Sequence, residues 1–377
     1  MDRYRLFCGF LEGISTLDMT LAYLYMGGSG TTFLFGIYLV HFFASFAFHI
    51  LHNRLTRFLD MAMIQLLIME RGYLKTRNVW FYVFCLSGMW FVPDPYDLMV
   101  LLINAAVAST QGDITYAYLY LWGFTLVFYL YSCIFQLLDH PVLPTLLCVL
   151  YHTYLGVLSA MEVPMYKEGI TNTTDGLVRY CAYFLWFSYV MTRLTKDPRR
   201  LRSILSLLTA VVLTPLSFYQ IYRQVQCGGR YKSFQGDQAT QYFTSHFYLA
   251  YVVADIVVGM AYYPEYFTLL EGWLHHIGTF SFVVYTYYHN PVKRIFVGIF
   301  MMVETPSILL FFSRVLYDVP WAQRIKKKFF YPVFFVFRIV LPTLLVAYLY
   351  HLFDFSSYLI YTSFIAINLY WLIKMWC

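Results

Sequence analysis

The chain repeatedly runs for about twenty residues with hardly a charge and then breaks at a short polar or basic turn. Residues 204–221 carry no charged side chain at all. A helix of that length spans the hydrocarbon core of a bilayer. The runs lack the strict alternation of barrel strands. In lipid every backbone group must bond within its own segment, so such runs fold as helices. Composition agrees, with 60% of residues hydrophobic and 12% charged, too few charges for a soluble surface. The formal net charge of +6 is small and comes from clusters between apolar runs, a topology signal and not a nucleic-acid footprint. The seven cysteines are odd in number and lie mostly in apolar segments, which reads as buried thiols and not a disulfide framework.

The reading is therefore an all-α polytopic membrane protein of about fourteen transmembrane helices in two bundles. Seven spans are expected within residues 1–161. A linker with one extra span covers 162–203, and six spans cover 204–377, with the last six forming a helix ring. The weakest candidates, near 6–26, 56–73, 78–92 and 96–110, are short or polar. Alternating the spans puts the two densest basic clusters, residues 193–202 and 324–328, on the cytosolic side. The Asn172-Thr173-Thr174 sequon then falls on the opposite side, where it is usable.

Two groups of polar residues interrupt these apolar runs. In the first half, Ser45 and His49 share a helix face at i, i+4, Asp60 follows a short basic turn, and Cys148 and His152 again share a face at i, i+4. Imidazole and thiolate are zinc ligands, and three protein ligands with an open fourth position make a catalytic zinc centre. His49, Cys148 and His152 are the expected ligands, with Ser45 and Asp60 in support; His41, His52 and His140 are alternatives. This arrangement resembles the CREST superfamily of seven-span membrane hydrolases, which includes alkaline ceramidases and adiponectin-type receptors. Its pattern is Ser-x3-His, then Asp, then His-x3-His, and Cys148 stands where the first histidine of the last pair belongs.

In the second half, three consecutive apolar segments carry Asp255, the Trp273-x-His275-His276 run, and Glu304. Arg338 and Asn368 follow in the last two. Polar groups placed so deep are retained where they face a cavity or a partner. With Glu304-Thr305-Pro306-Ser307, Pro342 and Trp371, they resemble a TLC domain, the six-span lipid-associated domain of ceramide synthases and related proteins. The resemblance implies a helix bundle around a lipid-sized cavity, with Trp273, Arg338 and Asn368 at the lipid and His275, His276, Asp255 and Glu304 as the chemical groups. The second His-Asp motif of ceramide synthases is missing, since residues 301–307 read Met-Met-Val-Glu-Thr-Pro-Ser. This likens the chain to TLC proteins that act in membrane lipid composition and transport.

The expected function is lipid handling in an endomembrane such as the endoplasmic reticulum: acyl transfer to, or hydrolysis of, a sphingolipid or similar lipid. Membrane lipids are the expected partners, acyl-CoA the expected co-substrate, zinc the expected metal of the first half, and nucleic acid is excluded. A non-catalytic lipid sensor or trafficking protein with the same cavity is the alternative. A transporter is disfavoured, because no inverted repeat with Gly/Pro-broken spans is evident.

Overall fold

A computed structural model describes residues 3–25, 32–51, 53–78, 81–83, 85–86, 142–162, 173–226, 238–267, 273, 275–289, 297–298, 300–348 and 355–376. The described residues are helical, with no strand among them. Four of their helical stretches are long and apolar enough to cross a membrane: Leu34–Leu51, Pro198–Gln226, Thr240–Tyr262 and Pro320–Tyr348. Thr145–Leu158 and Tyr361–Ile373 are shorter apolar helices. The spans expected near 96–110 and 115–138, most of that near 78–92, the sequon at Asn172, and His52 and His140 lie outside the described residues. The chain divides into two compact units, Met1–Thr171 and Asn172–Cys377.

In the first unit the described helices are α1 (Arg3–Ser15), α2 (Leu17–Tyr25), α3 (Thr32–Leu51), α4 (Arg54–Thr76) and α5 (Val142–Glu162). Helix α1 packs on α3 and α5, α2 on α3 and α5, and α3 on α4. Two glycines allow close approach. A Cβ at Gly13 would lie 2.7 Å from the Phe46 ring and 3.0 Å from the Phe46 Cα, so α1 seats directly on α3. A Cβ at Gly156 would meet the Asp18 backbone at 3.1 Å, which seats α5 on α2. Asn53 caps α4 by accepting from the Thr56 N–H at 2.8 Å. At its other end Arg77 takes the left-handed conformation and returns its N–H to the Tyr73 carbonyl. Arg71 and Lys75 there meet Glu162 of α5 at 2.5 and 3.1 Å, all three buried.

The second unit comprises α6 (Thr173–Leu194), α7 (Pro198–Gln226), α8 (Gln238–Tyr262), a 3-10 turn Pro264–Tyr266, α9 (His275–His289), a 3-10 turn Met301–Glu304, α10 (Thr305–Val315), α11 (Pro320–Phe335), α12 (Leu341–Tyr348) and α13 (Phe355–Trp376). Asp197 caps α7 by accepting from the Arg199 N–H at 2.9 Å, with Pro198 as the first helical residue. Helix α6 lies along α8; α8 packs on α7 and α9; α7 packs on α10, and α10 on α11. Leu213, Tyr248, Leu249, Val252, Val283, Val297 and Met301 form one buried apolar core.

Helices α11 and α12 are joined by a π-helical turn, Val336–Val340. Its cause lies in the sequence. In an α-helix the Arg338 carbonyl would accept from residue 342, but Pro342 has no N–H. The Leu341 N–H accordingly reaches back five residues to the Val336 carbonyl. The widened turn carries Arg338 inward, and α13 packs against it.

The glycine contacts give a test of the first unit. Gly13→Ala forces α1 off α3 and should cost about 1–3 kcal/mol. Gly36→Ala, where a Cβ meets nothing within 4 Å, should leave stability equal or higher. Thermal unfolding of the purified variants measures both.

Candidate functional site

The second unit encloses a cavity of about 330 Å³. Helix α8 contributes Tyr248, Tyr251 and Asp255 to its wall, α9 contributes His275 and His276, and α13 contributes Trp371. Arg202 and Ser206 of α7, Ser307, Leu310, Phe311 and Arg314 of α10, and Phe330 and Phe334 of α11 also line it, with Glu304, Pro306 and Arg338.

At its centre is a carboxylate–imidazole pair. His276 Nε2 lies 2.7 Å from Asp255 Oδ2, with the two residues 6% and 3% exposed. The Tyr263 hydroxyl donates to the other oxygen, Oδ1. Tyr263 reaches it because α8 ends one residue earlier and the chain tightens at once into the Pro264 3-10 turn. A carboxylate accepts, so Nε2 of His276 carries the proton and Nδ1 presents the lone pair. That Nδ1 is buried and has no hydrogen-bond partner among the described residues. Phe267 and Tyr251 hold the ring, at centroid distances of 5.5 and 6.2 Å. An imidazole oriented through one nitrogen by a carboxylate, with a lone pair on the other, is the arrangement of a general base.

His275 also lines the cavity, its ring between those of His276 and Trp371 at 5.4 and 5.9 Å. The two neighbouring histidines thus differ in support: Asp255 holds His276, while His275 rests on aromatic contacts. Arg338 is fixed by neutral acceptors: Nε donates to the Val303 carbonyl at 3.0 Å, and the Nη groups donate to Asn368 Oδ1 at 3.3 Å and Ser307 Oγ at 2.9 Å. Phe334 and Trp371 flank its guanidinium. Arg338 therefore ties α10, α13 and the π turn together beside the cavity. Glu304 and Arg338 both line the cavity, with no direct ion pair between them among the described residues. Asn368 stands behind Arg338, 2% exposed. Trp273 is 36% exposed and packs edge-on against Phe267, outside the lining.

Three cavity-side groups have no counterpart in the sequence reading. Tyr263 completes the Asp255 pair; the Tyr251 hydroxyl bonds Ser206 at 3.0 Å; Arg202 donates to the Tyr266 carbonyl at 3.2 Å. Tyr251 and Ser206 were discernible as polar groups on helix faces shared with Asp255 and Arg202. Nothing local marks Tyr263 among so many tyrosines.

The first unit brings His49, Cys148 and His152 together, with one potential ligand atom from each lying within 4.8 Å of the others, all buried. The two imidazole centroids are 5.6 Å apart, and Cys148 Sγ is 4.0 Å from His152 Nε2. Ser45 is buried on α3, one turn before His49. Asp60 Oδ1 lies 3.5 Å from His41 Nε2 without a hydrogen bond between them. The carboxylate bonded to His49 is that of Glu12 on α1, at 2.9 Å. Glu12 was visible as an acid in the first apolar run, but its pairing with His49, two helices on, was not.

Comparison with known proteins supports the second half alone. No curated protein and no solved structure matches the chain. The family model described as the TLC domain matches residues 201–377 and does not extend to the first unit, where the CREST resemblance rests on its few residues. That segment begins within the first turn of α7 and contains each residue named on the cavity wall; the C-terminal part of this protein is a TLC domain.

Proposed function

We propose that the TLC unit binds a membrane lipid and transfers an acyl group to it, or hydrolyses it, with His276 as general base. The observation that carries the reading is the 2.7 Å contact of Asp255 with a histidine whose other nitrogen, at a cavity wall, has no partner among the described residues. We place the six helices α7, α8, α9, α10, α11–α12 and α13 as a ring around that cavity; lining residues come from each of them. In acyl transfer His276 Nδ1 takes the proton of the lipid amine or hydroxyl as its heteroatom bonds the acyl carbon. The bond to the donor's sulfur breaks, and the imidazolium returns the proton to the departing thiolate. Asp255 stabilises the imidazolium in the interval. An acyl-CoA donor from the cytosol, a sphingolipid-type acceptor and the endoplasmic reticulum fit this reading. A lipid sensor or trafficking protein would use the same cavity without the proton transfer.

The test separates the two. Asp255→Asn keeps an acceptor for Nε2–H but loses the charge, and His276→Ala removes the base. Each should lower lipid turnover by roughly a hundredfold or more at normal abundance. Lipid profiling of cells complemented with each variant, and acyl transfer by protein purified in nanodiscs, measure this. If the double variant His275→Ala/His276→Ala restores a normal profile at normal abundance, the pair is structural and the sensor reading replaces the enzyme.

A second reading, that the first unit holds zinc, is favoured by the convergence of His49, Cys148 and His152. Two imidazole nitrogens and a thiolate suit Zn²⁺, and a bound zinc would supply Lewis-acid chemistry there. Purified protein should then carry one zinc per chain in the first unit. Cys148→Ser should lose most of it, and Cys148→His should retain it. Full zinc content in a His49→Ala/His152→Ala variant would place any metal elsewhere.

A further inference from the structure

We propose that Glu12 is a positioning residue that presents both histidines of the first unit to a metal in the ligating tautomer; the proposal rests on the zinc reading. Glu12 is buried on α1 and uses three of its oxygens at this site. Oε2 lies 2.9 Å from His49 Nδ1, and Oε1 accepts from the Thr145 hydroxyl at 2.7 Å. Its backbone carbonyl accepts from the Ser15 hydroxyl at 2.7 Å.

Proton counting fixes the rest. A carboxylate only accepts, so His49 Nδ1 carries the hydrogen and Nε2 the lone pair. Ser15 has a single hydroxyl proton, and it is committed to the Glu12 carbonyl. The 2.7 Å contact between Ser15 Oγ and His152 Nδ1 therefore needs the hydrogen on the ring. One residue thus sets the Nδ1–H form of both imidazoles, directly for His49 and through Ser15 for His152. Both leave the Nε2 lone pair for a cation. A carboxylate on the far nitrogen also makes His49 a more basic ligand, as in the carboxylate–histidine–metal arrangement. The Glu12 carboxylate is buried among the apolar residues of 6–14, where an ionised group needs partners in the protein.

A merely structural Glu12 would staple α1 to α3 and α5, and Glu12→Gln would keep that staple because the amide oxygen still accepts from Nδ1–H. The measurement is zinc affinity of the full chain in nanodiscs, by competition with a chromophoric chelator, beside the melting temperature of the metal-free protein. Glu12→Gln should weaken zinc binding about 10- to 100-fold with little change in metal-free melting, and Glu12→Leu should weaken it further. Cobalt-substituted protein should keep the thiolate charge-transfer band of Cys148 in Glu12→Gln at saturating metal. Zinc affinity of Glu12→Gln within twofold of wild type overturns the role of Glu12 while the zinc reading stands. Wild-type protein that binds no zinc overturns the zinc reading and the role of Glu12 together.

Discussion

A charged or hydrogen-bonding group inside an apolar helix must find a partner in the protein, because the lipid offers none. That cost organises both units. In the second, the carboxylate of Asp255 lies in the spanning stretch Thr240–Tyr262 and is met by His276 from α9 and by Tyr263 from the turn that ends α8. Removing either partner would leave a buried charge unsatisfied, a cost of several kcal/mol. The pair therefore ties α8 to α9 as firmly as the apolar contacts around it. The same bond that holds the helices sets the tautomer of His276, so stability and the chemistry of the cavity share one interaction.

Backbone irregularity does the remaining positioning. Pro342 deprives the Arg338 carbonyl of its α-helical donor, and the resulting π turn packs against both α10 and α13. Arg338 is then spent on a carbonyl, a serine and an asparagine. On the other side a 3-10 turn, Met301–Glu304, precedes α10 and puts Glu304 on the cavity wall. A proline also stands in the first turn of α10, where its missing N–H costs nothing. Neither irregularity changes the hydrophobic pattern of its segment, which is why the runs alone read as uninterrupted spans.

The first unit solves the same problem with a denser polar nest. Glu12, Ser15, His49, Thr145, Cys148 and His152 come from α1, α3 and α5, and they are brought within bonding distance by helices that nearly touch at Gly13. His41 and Asp60 face each other one step away, at 3.5 Å. The nest contains more donors and acceptors than packing requires, in the part of the chain where apolar contacts would have served stability as well.

The amino-acid sequence by itself determined the class of this protein: charge-poor runs of span length can only be helices in lipid, and the ionisable residues inside them mark where the polar interior is. It therefore pointed to Asp255, His275, His276, Glu304 and Arg338 near one cavity, and to His49, Cys148 and His152 near one another, since helical spacing puts Cys148 and His152 on one face. The tertiary structure decided the pairings. His276 and not His275 bonds Asp255; Glu12 and not Asp60 bonds His49; Trp273 packs on Phe267 outside the cavity lining, while Asn368 serves Arg338. Each of these depends on the rotation and closeness of two helices far apart in sequence. Those are set by contacts such as Gly13 on Phe46 and by the turn at Pro264, and no periodicity within a single segment encodes them.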